Sequence, residues 1–349
     1  NFSPADLLRS LIAECCGGSG TFNALSAATG ACTSSQNIHK RINKKATKLL
    51  ASVLGSALGG DDSLNSSIFN RVIVEDCSHF QAPESLVEQL PSYGNQHGKT
   101  AGVKLHFAYD LLSGSTVCAD LIKARITDQS LAEKLVSNEL KAGDLLIRDK
   151  GFLSVSALVE IQFSHAFYLS RLPLSLKPMD ENGMPLDLVA MLKNAIGDVV
   201  ECVATLGHQT GLPTRLIAVR VPEQIARQRE RDCRKRLGQS RGKLPAKQLV
   251  YCRWELVVTN VPFAMMEAED LAALYRCRWR IELAFKALKS NYFSSRMAKH
   301  ETNKHHWFAL LLARLIAFLP ILRLGQPGST SGSMDPPPSL LKSAKLWFS

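Results

Sequence analysis

The stretch YRCRWRIELAFKALK, residues 275–289, sets Arg276, Arg278 and Arg280 at alternating positions around Trp279 and holds one carboxylate, Glu282. It follows EAEDLAAL, so residues from Glu267 to Ser290 read as one long helix after the TNVP turn. On that helix Tyr275, Arg278, Glu282 and Lys289 stand at i, i+3, i+7 and i+14, within an arc of about 60°. Ile281, Ala284 and Leu288 lie on another side, which can face a core. One face therefore presents tyrosine, arginine, glutamate and lysine in a row, while Arg276 and Arg280 point elsewhere. Arginines and a glutamate on a helix also form ordinary i,i+4 surface pairs. The rest of the chain decides between a working face and a solvated one.

The chain has 349 residues, of which 46% are hydrophobic and 21% charged, a globular composition with room for two or three domains. Its net charge of +11 favours a polyanionic partner, nucleic acid before membrane. The nine cysteines are an odd number and contain no Cys-x-x-Cys pair, which argues against a disulfide framework and against a zinc site. The longest apolar run, from Phe308 to Arg323, is broken by Arg314 and Pro320 and reads as a buried helix instead of a membrane span. No secretory signal is read at the first residues, and Asn1 in place of Met reads as a missing N-terminus.

Residues 1–58 read as a helical domain, with Ser34 or Ser35 as an N-cap and His39, Lys40, Arg41, Lys44, Lys45 and Lys48 on one basic helix. Such a helix suits either DNA contact or plain solvation. A polar linker follows. Residues 68–172 alternate as three strands in a meander, then helix, strand (DLLIRDKGF from Asp144), helix and strand, a mixed α/β order that resembles a ribonuclease-H-like core. Residues 173–260 read as a β-rich insertion with a last strand from Leu249 to Asn260. It carries a basic helix in which, from Glu223 to Lys247, nine Lys/Arg face three Asp/Glu. Residues 261–324 return to the core, and the tail 325–349, with GSTSGS and PPP, reads as disordered.

Taken together, the spacing Tyr-x2-Arg-x3-Glu-x6-Lys at 275–289 resembles the YREK signature of bacterial DDE transposases of the IS-four insertion-sequence family. Asp76, at the end of the strand in RVIVEDCSHF, matches the family's first aspartate, and Asp149, in LLIRDKGF before Gly151 and Phe152, its second. On the residues alone Glu75 is a rival for Asp76, and Asp149 could simply open a turn. The likeness covers roughly residues 70–320. It departs from the family at DCSHF, where a glycine or serine and then threonine usually follow the aspartate.

The resemblance implies a ribonuclease-H-like catalytic core in which Asp76, Asp149 and Glu282 bind two Mg2+ ions, with Mn2+ as a substitute. It implies Tyr275, Arg278 and Lys289 as contacts to the DNA end. Trp254, 28 residues before Glu282, is expected either to stack on an extruded base or to be a half-buried strand tryptophan. The implied activity is cleavage at terminal inverted repeats and transfer of the freed 3′-hydroxyls to target DNA. A homodimer on paired ends in the bacterial cytoplasm, at the nucleoid, is expected. Two other readings stay open: a catalytically dead, transposase-derived DNA-binding protein, and a structure-specific nuclease on the same fold.

Overall fold

The computed structural model describes residues 3–17, 22–28, 33–57, 68–94, 98–113, 115–236, 244–279, 282, 285, 289 and 301–324. The expected tail, 325–349, lies outside them, as does most of the stretch after Trp279.

Eight strands form one mixed sheet in the order β3-β2-β1-β4-β5-β8-β7-β6. They are β1 (Val72–Ala82), β2 (Ala101–Asp110), β3 (Thr116–Lys123), β4 (Leu145–Arg148), β5 (Phe167–Arg171), β6 (Val199–Leu206), β7 (Leu212–Arg220) and β8 (Trp254–Thr259). The mixed α/β class and the ribonuclease-H-like strand arrangement expected from the sequence are both present. The chain divides into two compact units, one of residues 1–65, 75–127 and 279–349, the other of residues 66–74 and 128–278. The boundary falls within β1, between Val74 and Glu75.

In the first unit, β2 and β3 pair antiparallel from Val103↔Lys123 to Tyr109↔Thr116, with an irregularity after Ala108. Helices α1 (Pro4–Gly17), α2 (Phe22–Ala28), α3 (Ser35–Arg41) and α4 (Lys44–Ala57) precede them. Ser34 caps α3 by accepting from the Asn37 amide, as its residue type favours. The expected basic helix is in fact two: Ile42 ends α3, and Asn43 restarts the chain by accepting from the Lys45 amide at 2.9 Å. The last helix among the described residues, α11 (Lys304–Leu324), packs against α1 and α4, and α4 also meets β3. Residues 309–317 of α11 are buried throughout, Arg314 included. The N-terminal helices thus share a core with the first strands. Among the described residues, no helix is long and apolar enough to cross a membrane.

In the second unit β1 and β4 run parallel, with Val72↔Leu145, Ile73↔Leu146 and Val74↔Ile147 in register. Six residues that are apolar and nearly inaccessible on both faces suit a central parallel pair. α5 (Asp128–Glu139) and α6 (Val155–Phe163) pack on each other, and buried Arg148 ties β4 to α5 by donating to the Ala132 carbonyl at 2.8 Å. The strands of 173–260 extend this sheet instead of building their own: β8 pairs antiparallel with β5 (Leu169↔Thr259), and β7 and β6 follow outward. The last strand of that segment begins later than its sequence suggests. Ala246–Cys252 is helix α9, packed on basic α8 (Glu223–Arg236) through Cys233, Leu244 and Cys252, and the strand starts at Trp254. A short α7 (Leu188–Lys193) sits beside α9.

The long helix expected from Glu267 to Ser290 is interrupted. α10 (Ala268–Arg276) ends in a tightened turn, where the Cys277 amide donates to Leu274 and the Arg278 amide to Tyr275. Helical backbone resumes at Trp279, Glu282 and Phe285. Tyr275 and Arg278 therefore belong to a helix end and its turn, and not to one uninterrupted face with Glu282 and Lys289.

Candidate active site

The first unit holds Asp76, Glu282 and Lys289. Asp76 is half-buried on β1, and its Oδ1 accepts from the Cys77 amide at 2.8 Å. Phe80, four residues on, shares its face of the strand. Phe285 sets its ring edge-on to Phe107 of β2 with centroids 6.0 Å apart, and Lys289 holds its ammonium 5.4 Å from the Phe80 ring centroid. Glu282, Phe285 and Lys289 recur at i, i+3 and i+7, so the two anchors fix the side that carries the glutamate. Desolvation lowers the Lys289 pKa, and the Asp76 charge opposes that fall, which ties the cation electrostatically to the first carboxylate.

His79, three residues beyond Asp76, is one residue the sequence reading passed over. With Gln81, Tyr93, Thr100 and Lys104 it lines an open groove of about 360 Å³. Its Nε2 lies 2.8 Å from Ser92 Oγ. Partial burial lowers its pKa, and then the charges of Lys289 and Lys104. Gly102 makes this possible: a Cβ there would lie 2.7 Å from His79 Nε2. A glycine opening the strand GVKLH was the available signal.

The second unit holds Asp149, Tyr275, Arg278 and Trp254. Asp149 directly follows β4, before a 3-10 turn at Lys150–Phe152. Gly151 lets that turn close on α5, since a Cβ would lie 3.2 Å from Asp128 Oδ2, while Phe152 is buried beneath it. Asp149 Oδ1 is buried with no hydrogen-bond partner among the described residues. Such an orphan costs on the order of 1–3 kcal/mol or more unless a ligand satisfies it. Tyr275 is 3% exposed and its hydroxyl has no partner either. Burial raises the phenol's pKa most, the Arg278 charge opposes it, and the Asp149 and Glu255 charges raise it further. The Arg278 guanidinium lies 5.7 Å from the Tyr275 ring centroid and is itself 5% exposed.

Trp254 is 4% exposed, paired across the sheet with Arg220, whose guanidinium covers its ring at 4.4 Å. Trp254 is thus more buried than the half-buried strand position named in the sequence reading. On α8, part of the basic run is paired, Arg227 to Glu223 and Arg229 to Glu255. Arg231, Lys235 and Arg236 remain solvent-exposed, with Arg227.

Asp76 and Asp149 each lie two residues beyond the last paired residue of β1 and β4, which run parallel, and Glu282 lies on a helical segment late in the chain. The family described as Transposase DDE domain matches residues 68–316, and the chain belongs to that family. It is 27% identical over 286 residues to the transposase for insertion sequence element IS231F of Bacillus thuringiensis subsp. israelensis, covering 74% of this chain and 58% of the relative. The IS231E transposase of Bacillus thuringiensis subsp. finitimus is 28% identical over 290 residues, 76% of this chain and 59% of its own length. A putative transposase, InsL of IS186A in Escherichia coli (strain K12), is 29% identical, over 71% and 66% of the two chains. The chain thus spans under three-fifths of the length of the two IS231 relatives. Among solved structures, the piggyBac transposase synaptic complex with hairpin DNA shares the fold, with a TM-score of 0.51 at 8% identity, covering 99% of this chain and 70% of that one.

Proposed function

We propose that this chain is a DNA transposase that cuts phosphodiester bonds at the terminal inverted repeats of an insertion sequence and joins the freed 3′-hydroxyls to target DNA. The observation that carries the reading is the Asp149 carboxylate oxygen, buried and unpartnered, at the family's second acidic position. Asp76, Asp149 and Glu282 are all carboxylates, and an all-oxygen donor set with an unsatisfied member fits a hard divalent cation. These residues would hold two Mg2+, or Mn2+ in its place. Bound there, the ions supply Lewis-acid activation of the attacking oxygen and stabilisation of the leaving one.

The chain's own residues position the DNA. Lys289, exposed beside the first acid, neutralises a backbone phosphate. Tyr275, whose hydroxyl is uncommitted, donates to a phosphate oxygen near Asp149, and Arg278 holds the phenol ring while adding charge. Trp254 stacks on an extruded base once Arg220 leaves its ring, a contact worth about 1–3 kcal/mol. The exposed cations of α8, and Lys40, Lys44, Lys45 and Lys48 near the N-terminus, track the duplex outside the site. Two ends must be cut and joined together, so two copies act on paired ends, in the bacterial cytoplasm at the nucleoid.

The test is cleavage of DNA carrying the element's inverted repeat in Mg2+, comparing the chain with Glu282→Gln. Nicking at the repeat ends that disappears in the variant, with strand transfer of the products, supports the reading. Binding without nicking in both proteins would instead indicate a DNA-binding protein derived from a transposase. Nicking without strand transfer would indicate a nuclease.

A further inference from the structure

The first unit contains a second constellation that the acidic triad does not use. His106 on β2 stands directly opposite Asp120 on β3, and Cys118, two residues before Asp120, pairs with Ala108. Residues i and i+2 of a strand share a face, and so does the residue opposite. The three side chains therefore converge, and their nitrogen, sulfur and oxygen ligand atoms lie within 4.8 Å of one another. Cys118 Sγ is 3.5 Å from His106 Nδ1. A tetrahedral ion with bonds of about 2.3 Å to sulfur and 2.0–2.1 Å to nitrogen holds those two atoms about 3.5 Å apart. On the far side of the imidazole, Nε2 lies 2.7 Å from Glu75 Oε1, with both residues essentially inaccessible. That carboxylate–imidazole pair fixes the ring and leaves Nδ1 to a ligand, the outer support that metal-binding histidines ordinarily have. Cys118 and Asp120 are only half-buried, which leaves a way in.

We propose that His106, Cys118 and Asp120 form a site for a borderline transition cation of the Zn2+ type, oriented by Glu75 and distinct from the hard-cation triad. The donor set of nitrogen, thiolate sulfur and one carboxylate suits Zn2+ or Co2+ and suits Mg2+ poorly. Three protein ligands leave a fourth position for water. Binding converts the Cys118 thiol to thiolate and releases its proton to solvent. The missing Cys-x-x-Cys pattern does not exclude this arrangement, because strand register, and not sequence spacing, assembles it.

The experiment is titration of the metal-stripped chain with Co2+, reading the sulfur-to-cobalt charge-transfer absorption that an all-carboxylate site cannot produce. The expected result is one equivalent bound with that band, retained in Asp76→Asn and abolished in Cys118→Ser. No band, or a band that persists in Cys118→Ser, overturns the proposal. If Cys118→Ser does not fold, the unaltered chain is alkylated with iodoacetamide with and without Zn2+, and the modified peptides are measured by mass spectrometry. Protection of Cys118 by Zn2+, reversed by chelation, supports the site, and equal labelling of Cys118 in both states overturns it.

Discussion

At the residue scale, the second unit's buried polar atoms with no hydrogen-bond partner among the described residues include Asp149 Oδ1 and the Tyr275 hydroxyl. Removing a buried group that has no partner relieves a desolvation cost, whereas removing a partnered one creates such a cost. Tyr275→Phe should therefore leave unfolding free energy unchanged or raise it by up to about 1 kcal/mol in denaturant titration, while end cleavage falls about tenfold, one charge-assisted hydrogen bond's worth. Loss of stability with unchanged cleavage would show that the phenol is structural only. His79 gives the first unit a pH signature. Its folded pKa lies below the ordinary 6.5, so the unfolded chain takes up the proton first as pH falls. Stability attributable to His79 is constant above that value, declines as pH drops through and below 6.5, and levels off once the folded histidine also titrates. His79→Gln should flatten that part of the stability–pH curve in chemical denaturation. Gly102→Ala should cost about 1–3 kcal/mol, because the new methyl must displace the His79 ring and its Ser92 contact.

At the element scale, the proposed site draws Glu282 from a helix restarted after a break. Phe285 locks the Glu282 segment to β2 through one aromatic pair. Phe285→Leu keeps an apolar side chain but loses that edge-to-face contact, so it should cost about 0.5–1.5 kcal/mol of stability while reducing strand cleavage by more than that figure alone accounts for. Unfolding midpoints and single-turnover cleavage on the same samples separate the two. Strands β1 to β5 and the apolar α11 were legible in the sequence because alternation and buried runs are local signals. The break at Cys277 and Arg278 was not, because CRWRIEL is helix-compatible and the interruption comes with burial of Arg278 beside Tyr275. The merging of β6–β8 into the central sheet was hidden for a related reason: pattern shows that a strand exists, and not which strand it will pair with. The acids and the Tyr–Arg–Glu–Lys spacing could be read by motif, whereas His79 and the His106–Cys118–Asp120 group needed register across strands.

At the scale of the whole molecule, charge bears on the proposed encounter with DNA. On that reading a net charge of +11 makes affinity strongly salt-dependent, with the exposed cations of α8 as contributors from the second unit. Replacing Arg227, Arg231, Lys235 and Arg236 together by Gln should lower the slope of log affinity against log salt by about 3–4, measured by fluorescence anisotropy over a salt series, with little change in thermal stability. An unchanged slope would place α8 outside the DNA path. The order in which the two units are encoded has its own consequence. Residues 66–74 and 128–278 complete one unit, whereas the other collects residues from 1–65, 75–127 and 279–349. On the ribosome, the second unit's strands have all left the exit tunnel while α1 and α4 still lack the apolar helix that covers them. The nascent chain therefore carries bare hydrophobic surface until α11 is translated. A chaperone that holds such surface has its longest work on the N-terminal helices, and a transcript broken before α11 yields a product that is half folded and marked for proteolysis.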